Sequence, residues 1–286
     1  MNYVYVLIAT ILLAVEFAFS KKYQAAEGVS LQAGLRFNVV SGCLSAVIMF
    51  AVCGFKLQWS PLSAVLAVSM TLCGLCYSLL SFRVLKLGGM ALYSTFLMSG
   101  GMLLPYIFGL LFLDEQPSVL RIIGVLVILT GVVCSNVSKN KVSKGLLLLC
   151  IAVFLLNGGV SIISKCHQIS TAPVVSTSAF VMYAGVAKCL LSAVILLFVK
   201  KSPGNTGLQK KGSLLIIAGG ALIGAASYFL QLIGAENLPA SVLYPMVTGG
   251  SIIFSAIAGM IFYKEHLTRR QIISIILCFI GTLLFL

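Results

Sequence analysis

Two stretches of the sequence decide the fold: GGMLLPYIFGLLFLDEQPSVLRIIGVLVILTG at residues 100–131 and GSIIFSAIAGMIFYKEHLTRRQIISIILCFIG at residues 250–281. Each is an apolar run, a short charged corner and a second apolar run. At a shift of 150 residues they share identical residues, which predicts an internal repeat. The identical pairs include Gly100/Gly250, Gly109/Gly259, Phe112/Phe262, Glu115/Glu265, Ile122/Ile272, Ile123/Ile273 and Gly131/Gly281.

The repeat extends over most of the chain. A shift of 151 residues brings three further pairs into register, which are Tyr77/Tyr228, Leu87/Leu238 and Tyr93/Tyr244. Near the start of each half, a shift of 144 residues aligns Ser20/Ser164, Lys21/Lys165 and Gln24/Gln168. We therefore predict two repeats, at residues 1–137 and 145–286.

The composition is that of a membrane protein. Of 286 residues, 60% are hydrophobic and only 9% are charged, and the mean hydropathy is +1.13. The apolar runs are long enough to cross a bilayer and do not alternate with period 2, which favours helices over a β-barrel. We predict an all-α polytopic membrane protein with ten transmembrane helices, near residues 2–20, 31–54, 62–82, 88–113, 119–137, 145–164, 174–199, 213–234, 239–262 and 270–286.

Each predicted repeat holds five helices, and an odd number places the two halves in the membrane in opposite directions. The corner Asp114-Glu115 of the first half becomes Lys264-Glu265 in the second, as expected if matched corners lie on opposite membrane faces. Such inverted repeats are typical of transporters that work by alternating access about a site near the membrane midplane.

The net charge of +13 could suggest a nucleic-acid ligand, but in a membrane protein it indicates topology. Connections after the odd-numbered helices carry far more Lys and Arg than those after the even-numbered ones, and cationic loops stay in the cytoplasm. We therefore predict a multi-pass protein of the cytoplasmic membrane with both termini outside. The cationic residues of the odd-numbered connections are Lys21, Lys22, Arg36, Arg83, Lys86, Lys139, Lys141, Lys144, Lys200, Lys201, Lys210, Lys211, Lys264, Arg269 and Arg270, against Lys56, Arg121 and Lys165 on the other side.

Two charged residues lie inside the predicted spans. Glu16 interrupts a run that is otherwise apolar from Val4 to Phe19, and Lys188 lies within the span 174–199. Ionisable groups in a membrane are costly and usually functional, so Glu16 is a candidate for taking up protons or pairing with a cation. For Glu16 the alternatives are a structural hydrogen bond to a neighbouring helix or a position near enough to the cytoplasmic end to reach the interface. For Lys188 they are pairing with Glu16, binding an anionic group or reaching the interface along its stem.

Further candidates for substrate binding are polar and aromatic residues in five of the predicted spans. Aromatic rings around one acid suit an organic cation through cation–π attraction. Small and hydroxyl residues within lipid more often serve helix packing. These candidates are Tyr77, Tyr93, Phe96, Asn157, Tyr228, Gln231, Tyr244 and Thr248.

Other functional classes find little support. An enzyme needs convergent nucleophile, base or metal groups, whereas the two histidines, His167 and His266, fall at span ends. Cys73 and Cys76 have metal-ligand spacing but lack a second pair, so we expect packing residues. We predict no catalytic residue, metal or cofactor. A pump is disfavoured because the chain has no phosphate-binding loop motif.

The segments LGGMALYSTFLMSGG (87–101), LFLDEQPSVLRIIGVLVILTGV (111–132) and LPASVLYPMVTGGSIIFSAIAGMIFYKEHLTRRQIISIILCFIGTL (238–283) resemble the EamA-like branch of the drug/metabolite transporter superfamily. The likeness covers essentially the whole chain. The opening MNYVYVLIATILLAVEFAFSKKY (1–23) also resembles small multidrug resistance proteins, which carry a Glu in this part of helix 1. That resemblance implies that Glu16 exchanges protons for cationic substrates, although Val160 stands at the matching position of the second half.

We therefore expect a secondary transporter of a small organic solute, exporting an organic cation or drug-like metabolite by proton-coupled, multidrug-type efflux. The alternative is an exporter of amino acids or other neutral or zwitterionic metabolites without Glu-based coupling, with contributions from Lys188 and Asn157. The expected partners are a small-molecule substrate, protons and the lipid bilayer, and not nucleic acid. The oligomeric state is left open, with a monomer as the simplest case.

Overall fold

The computed structural model describes residues 2–28, 30–116, 118–136, 143–199, 211–264 and 266–285, and these ranges are helical and contain no β-strand. Within them, eight helices are long and apolar enough to cross a membrane. The prediction of an all-α, ten-helix membrane protein is confirmed. The helices are α1 Asn2–Glu27, α2 Leu31–Val52, α3 Pro61–Ser81, α4 Leu92–Phe112, α5 Val119–Asn136, α6 Lys144–Gln168, α7 Thr177–Phe198, α8 Lys211–Asn237, α9 Ala240–Tyr263 and α10 Arg269–Leu283.

Helices α3 and α4 belong to one stretch, Pro61–Phe112, that is helical throughout, whereas the sequence predicts a connection near residues 83–87. A straight helix of 52 residues would be about 78 Å long, more than twice the thickness of the hydrocarbon core. The two parts run along α6 in opposite directions, so the chain reverses between Ser81 and Leu92. Along α3, Ser63 contacts His167 and Cys73 lies near Gly159; along α4, Leu97 contacts Asn157 and Gly101 contacts Ser161.

Hydroxyl side chains begin several of these helices. The Ser30 hydroxyl accepts a hydrogen bond from the N–H of Ala33, and Ser60 does the same for Ser63. Thr268 and Gln271 form a capping box at the start of α10. Such caps satisfy N–H groups that have no partner within the helix. They fix where each span begins after a short connection.

The two halves of the sequence pack mainly on each other. Helix α2 packs on α7 and α5 packs on α10, while α1 packs on α8 and α9, and α6 on α3 and α4. At the α2–α7 contact, a Cβ atom on Gly42 would lie 2.7 Å from the carbonyl oxygen of Gly185. At the α5–α10 contact, a Cβ on Gly281 would lie 2.9 Å from the carbonyl oxygen of Gly124. Small residues therefore allow these helices to approach closely, as in other membrane bundles.

Some predicted features lie outside the described residues. These are Glu265 of the second charged corner, most of the connection 200–212, and the cationic residues Lys139, Lys141, Lys200, Lys201 and Lys210. The division into repeats at 1–137 and 145–286 and the inverted relation between them remain predictions.

Candidate functional site

A cavity of about 390 Å³ lies between α1, α2, α3, α6, α7 and α8. The cavity extends from the middle of the bundle toward the start of α2 and the end of α3, where Asn38 and Ser78 line it. We call the membrane face with the connections α1–α2, α3–α4, α5–α6, α7–α8 and α9–α10 the basic face. Five predicted site residues line the cavity: Glu16, Tyr77, Lys188, Tyr228 and Gln231.

Glu16 is contributed by α1 and lies against α8. A Cβ atom on Gly224 would be 2.5 Å from its carboxylate carbon, so the carboxylate occupies space that only a glycine leaves free. One turn away, the Ser227 hydroxyl donates to the carbonyl of Ala9 at 2.7 Å. Close approach of α1 and α8 thus places an acid in the cavity wall.

Lys188 is contributed by α7, one turn after the glycine that packs on α2. Its Nζ atom lies 5.9 Å from the centroid of the Phe37 ring, within the range of a cation–π interaction. Glu16, on α1, is the acidic residue of the same cavity. Both lie in described spans and line the same cavity, and they form no direct ion pair. The cavity therefore offers one negative and one positive group to a solute between them.

Tyr228 lies where the cavity meets the half of the bundle away from the basic face. Its hydroxyl is 2.8 Å from the hydroxyl of Ser164 and donates to the sulfur of Met70 at 2.9 Å. Farther along, Ser63 and His167 are bonded at 3.0 Å, and the His167 ring stacks on Phe180 with centroids 3.7 Å apart. These bonded layers lie between the cavity and the membrane face opposite the basic face.

Two opposite charges hold the turn between α8 and α9 on the face opposite the basic face. Lys165, which is 4% exposed, binds carbonyl groups at the end of α8, and Glu115 binds N–H groups at the start of α9. A cation at a helix C-terminus and an anion at an N-terminus both complement the helix dipole. The bonds join Lys165 Nζ to the carbonyls of Ala235 (2.5 Å) and Leu238 (2.7 Å), and the N–H groups of Ala240 (2.7 Å) and Ser241 (2.8 Å) to the Glu115 carboxylate.

Five predicted site residues lie outside this cavity. Tyr93 and Phe96 pack against a cluster around Cys150, while the Asn157 amide donates to the carbonyl of Leu97 at 2.7 Å. Tyr244 is buried, with its hydroxyl on the Ser161 carbonyl. Thr248 is also buried. The cavity does not bring these side chains together with Glu16, and their contact with substrate remains a prediction.

Several polar residues of the cavity wall were not predicted from the sequence. On α2, Asn38, Ser41 and Ser45 line the cavity, and on α3 Thr71 and Ser78 do so. Their spacings of three, four and seven residues place each set on one helix face. That spacing was the available signal, but the same pattern also serves helix packing.

Comparison with known proteins gives one family match and related solved structures. The model of the EamA-like transporter family matches residues 143–286. Comparison with curated proteins finds no match. One crystal structure of a protein is similar over 99% of this chain and 96% of its own, with a TM-score of 0.74 and 17% sequence identity. It is among 28 matching chains, and at this identity it supports the fold alone.

Proposed function

Since the chain belongs to the EamA-like transporter family and is thus a membrane transporter of small solutes, we propose that it carries a small zwitterionic organic solute through the cavity between Glu16 and Lys188. In this proposal Glu16 binds the cationic group of the solute and Lys188 binds its anionic group. An amino acid or a similar metabolite has this chemistry.

The observation that carries the proposal is the presence of two opposite charges in one cavity without a direct ion pair. Each isolated charge is costly inside a membrane, and a solute that supplies both counter-charges relieves both costs at once. A purely cationic solute would satisfy Glu16 and leave Lys188 facing a second positive charge. The geometry therefore favours the zwitterionic alternative over the organic cation that the sequence led us to expect first.

The size and lining of the cavity agree with a small solute. Its volume of about 390 Å³ lies at the lower end of the range for small-molecule sites. Apolar side chains including Leu13, Leu75 and Val181 line it beside the charges. They suit the carbon skeleton of a metabolite, while hydroxyl groups of α2 and α3 can bind polar substituents.

A specific observation keeps a proton-coupled organic cation as the second candidate. The aromatic rings of Tyr77 and Tyr228 line the same cavity as Glu16, and such rings attract cations. In that version Glu16 releases a proton when the cation arrives and regains it when the cation leaves. In that case Lys188 contacts the Phe37 ring and alters the proton affinity of Glu16, and it does not bind the solute.

We also propose that the two halves form an inverted repeat that rocks about this cavity. Support comes from two contacts that the sequence repeat relates to each other. A Cβ on Gly100 would overlap the Phe154 carbonyl oxygen, and a Cβ on Gly250 would lie 3.1 Å from the Thr10 side chain. The shift of 150 residues maps Gly100 onto Gly250, and the shift of 144 maps Thr10 onto Phe154. Exchanging the halves thus maps the α4–α6 contact onto the α9–α1 contact.

The direction of transport follows from the orientation that the charges predict. If the basic face is cytoplasmic, the cavity extends toward the cytoplasm and is closed on the outer side, as in a state that loads a solute for export. This orientation places both termini outside the cell.

The proposal is tested with the full chain in proteoliposomes. Counterflow is measured for an amino acid panel, the corresponding decarboxylated amines and the corresponding carboxylic acids, each with and without a pH gradient. We expect amino acids to be carried better than either singly charged class. Transport of the amines alone, driven by a pH gradient, would favour the second candidate, and transport of none of the three classes would contradict both.

A further inference from the structure

The cavity that contains Glu16 and Lys188 is called the transport cavity here. A second, separate cavity lies on the lipid-facing side of α2, α3 and α7. We call it the lateral groove. Its volume is about 510 Å³, and its wall is almost entirely apolar. Val47 and Leu190 in this wall are 61% and 60% exposed, so the groove faces the hydrocarbon core of the bilayer. The lining residues are Ala46, Val47, Phe50, Leu57, Trp59, Ala64, Ala67, Val68, Met182, Tyr183, Val186, Ala187 and Leu190.

The lateral groove is nearly as long as the hydrocarbon part of one lipid leaflet. Along α7 it extends from Met182 to Leu190, a rise of about 12 Å. Half of the hydrocarbon core measures about 15 Å. One end of the groove is the connection between α2 and α3, at the membrane interface, and the other end lies near the midplane. An extended acyl chain of one leaflet therefore fits along it.

Aromatic residues mark the interfacial end of the groove. Trp59 is 75% exposed, and its ring centroid lies 6.5 Å from that of Tyr183. The Tyr183 hydroxyl donates to the carbonyl of Gln58 at 2.6 Å, which fixes this connection to α7. Tryptophan and tyrosine concentrate at the level of lipid headgroups. The position of these rings sets the depth of the groove in the bilayer.

The same end of the groove carries a positive charge. Lys56 is exposed and directly precedes Leu57, which lines the groove, and residues 53–60 contain no acidic side chain. An interfacial lysine attracts the phosphate of a lipid headgroup. We propose that the lateral groove binds an anionic phospholipid, with one acyl chain between α2, α3 and α7 and the negatively charged headgroup at Lys56.

A lipid bound in the lateral groove affects the transport cavity, because α7 contributes to the walls of both cavities. Val181, Gly185 and Lys188 line the transport cavity, whereas Val186 and Leu190 on the other face of α7 line the lateral groove. A bound acyl chain packs against the helix that positions the Lys188 ammonium. Occupancy of the groove therefore supports the placement of the positive group in the transport cavity.

Trp59 provides the test, because it is the only tryptophan in the chain. The full protein is reconstituted in phosphatidylcholine vesicles containing increasing fractions of phosphatidylglycerol with brominated acyl chains, which quench indole fluorescence on contact. We expect quenching that saturates at a low fraction of brominated lipid. Brominated diacylglycerol, which lacks the phosphate, should quench only in proportion to its fraction. Proportional quenching by both lipids would overturn the proposal.

Variants separate the groove from the general lipid surface. Val186→Phe fills part of the groove and should reduce the saturable quenching, whereas Val194→Phe, at an exposed position eight residues later on α7 and outside the groove, should not. Lys56→Gln should weaken the apparent lipid affinity about fivefold, as expected for one interfacial cation. Equal quenching in wild type, Val186→Phe and Lys56→Gln would contradict the site. Because Val186 and Val194 are exposed, both phenylalanine variants should fold, which size-exclusion chromatography verifies.

Discussion

The Glu16 carboxylate lies against the backbone of Gly224, where a Cβ atom would come within 2.5 Å of the carboxylate carbon. Gly224→Ala should therefore displace the carboxylate and strongly reduce transport. In an open helix position the same change would stabilise the helix by about 1 kcal/mol, so a loss of function reports the displacement. Gly145→Ala is the matched control, since a Cβ there meets nothing within 4 Å. Equal transport by the two variants would show that the position of Glu16 does not depend on Gly224.

Glu16→Gln should abolish any proton-linked component of transport while the protein remains folded. The amide has nearly the shape of the acid but neither binds a proton near neutral pH nor carries the charge that attracts a cation. The measurement is solute counterflow with and without a pH gradient, with size-exclusion chromatography as the folding check. If a pH gradient still drives transport in this variant, Glu16 is not the coupling group.

Lys165→Met should destabilise the protein without changing which solutes it selects. The substitution leaves the carbonyls of Ala235 and Leu238 without their charged donor in a buried setting, at a cost of about 1–3 kcal/mol. Glu115→Gln should have a similar effect by weakening the bonds to the start of α9. Thermal unfolding in detergent measures both changes, with the exposed Lys22→Met as the control. Unfolding temperatures that match the control would argue against this role for the turn.

A reporter fused after the last residue should be found outside the cytoplasm. This expectation follows from the excess of Lys and Arg in connections after odd-numbered helices. Labelling of the reporter in intact cells by an impermeant reagent measures the orientation. Labelling only after the cells are opened would reverse the topology, and with it the inferred direction of transport.

The spans and the two charged cavity residues could be predicted from the sequence because each has a local signal. A long apolar run is a span, and a single acid or base within it is conspicuous. The reversal between α3 and α4 was predicted as well, because Arg83 and Lys86 separate two apolar runs. The sequence did not indicate that the connection itself is helical, so that Pro61–Phe112 forms one helical stretch.

Whether any other residue lines the cavity depends on the rotation of its helix about the helix axis. The depth of a residue along a predicted span does not reveal that rotation. Tyr77 and Tyr93 were both expected to contact substrate and both pack against the cluster around Cys150, yet Tyr77 alone of the two lines the cavity. Conversely, Asn38 and Ser41 line the cavity although such residues in membrane helices commonly serve packing. The contacts between helices, which connect residues far apart in sequence, decide these orientations.

The most direct measurement of the central claim compares Lys188→Met with wild type for an amino acid and its decarboxylated amine. Loss of a charged partner for the carboxylate should lower the ratio of amino acid to amine counterflow at least about tenfold, since hydrogen bonds to charged groups contribute about 1.5–3 kcal/mol. The account predicts that fall, with amine counterflow retained. An unchanged ratio, with both rates altered alike, would contradict the assignment of Lys188 to the anionic group of the solute.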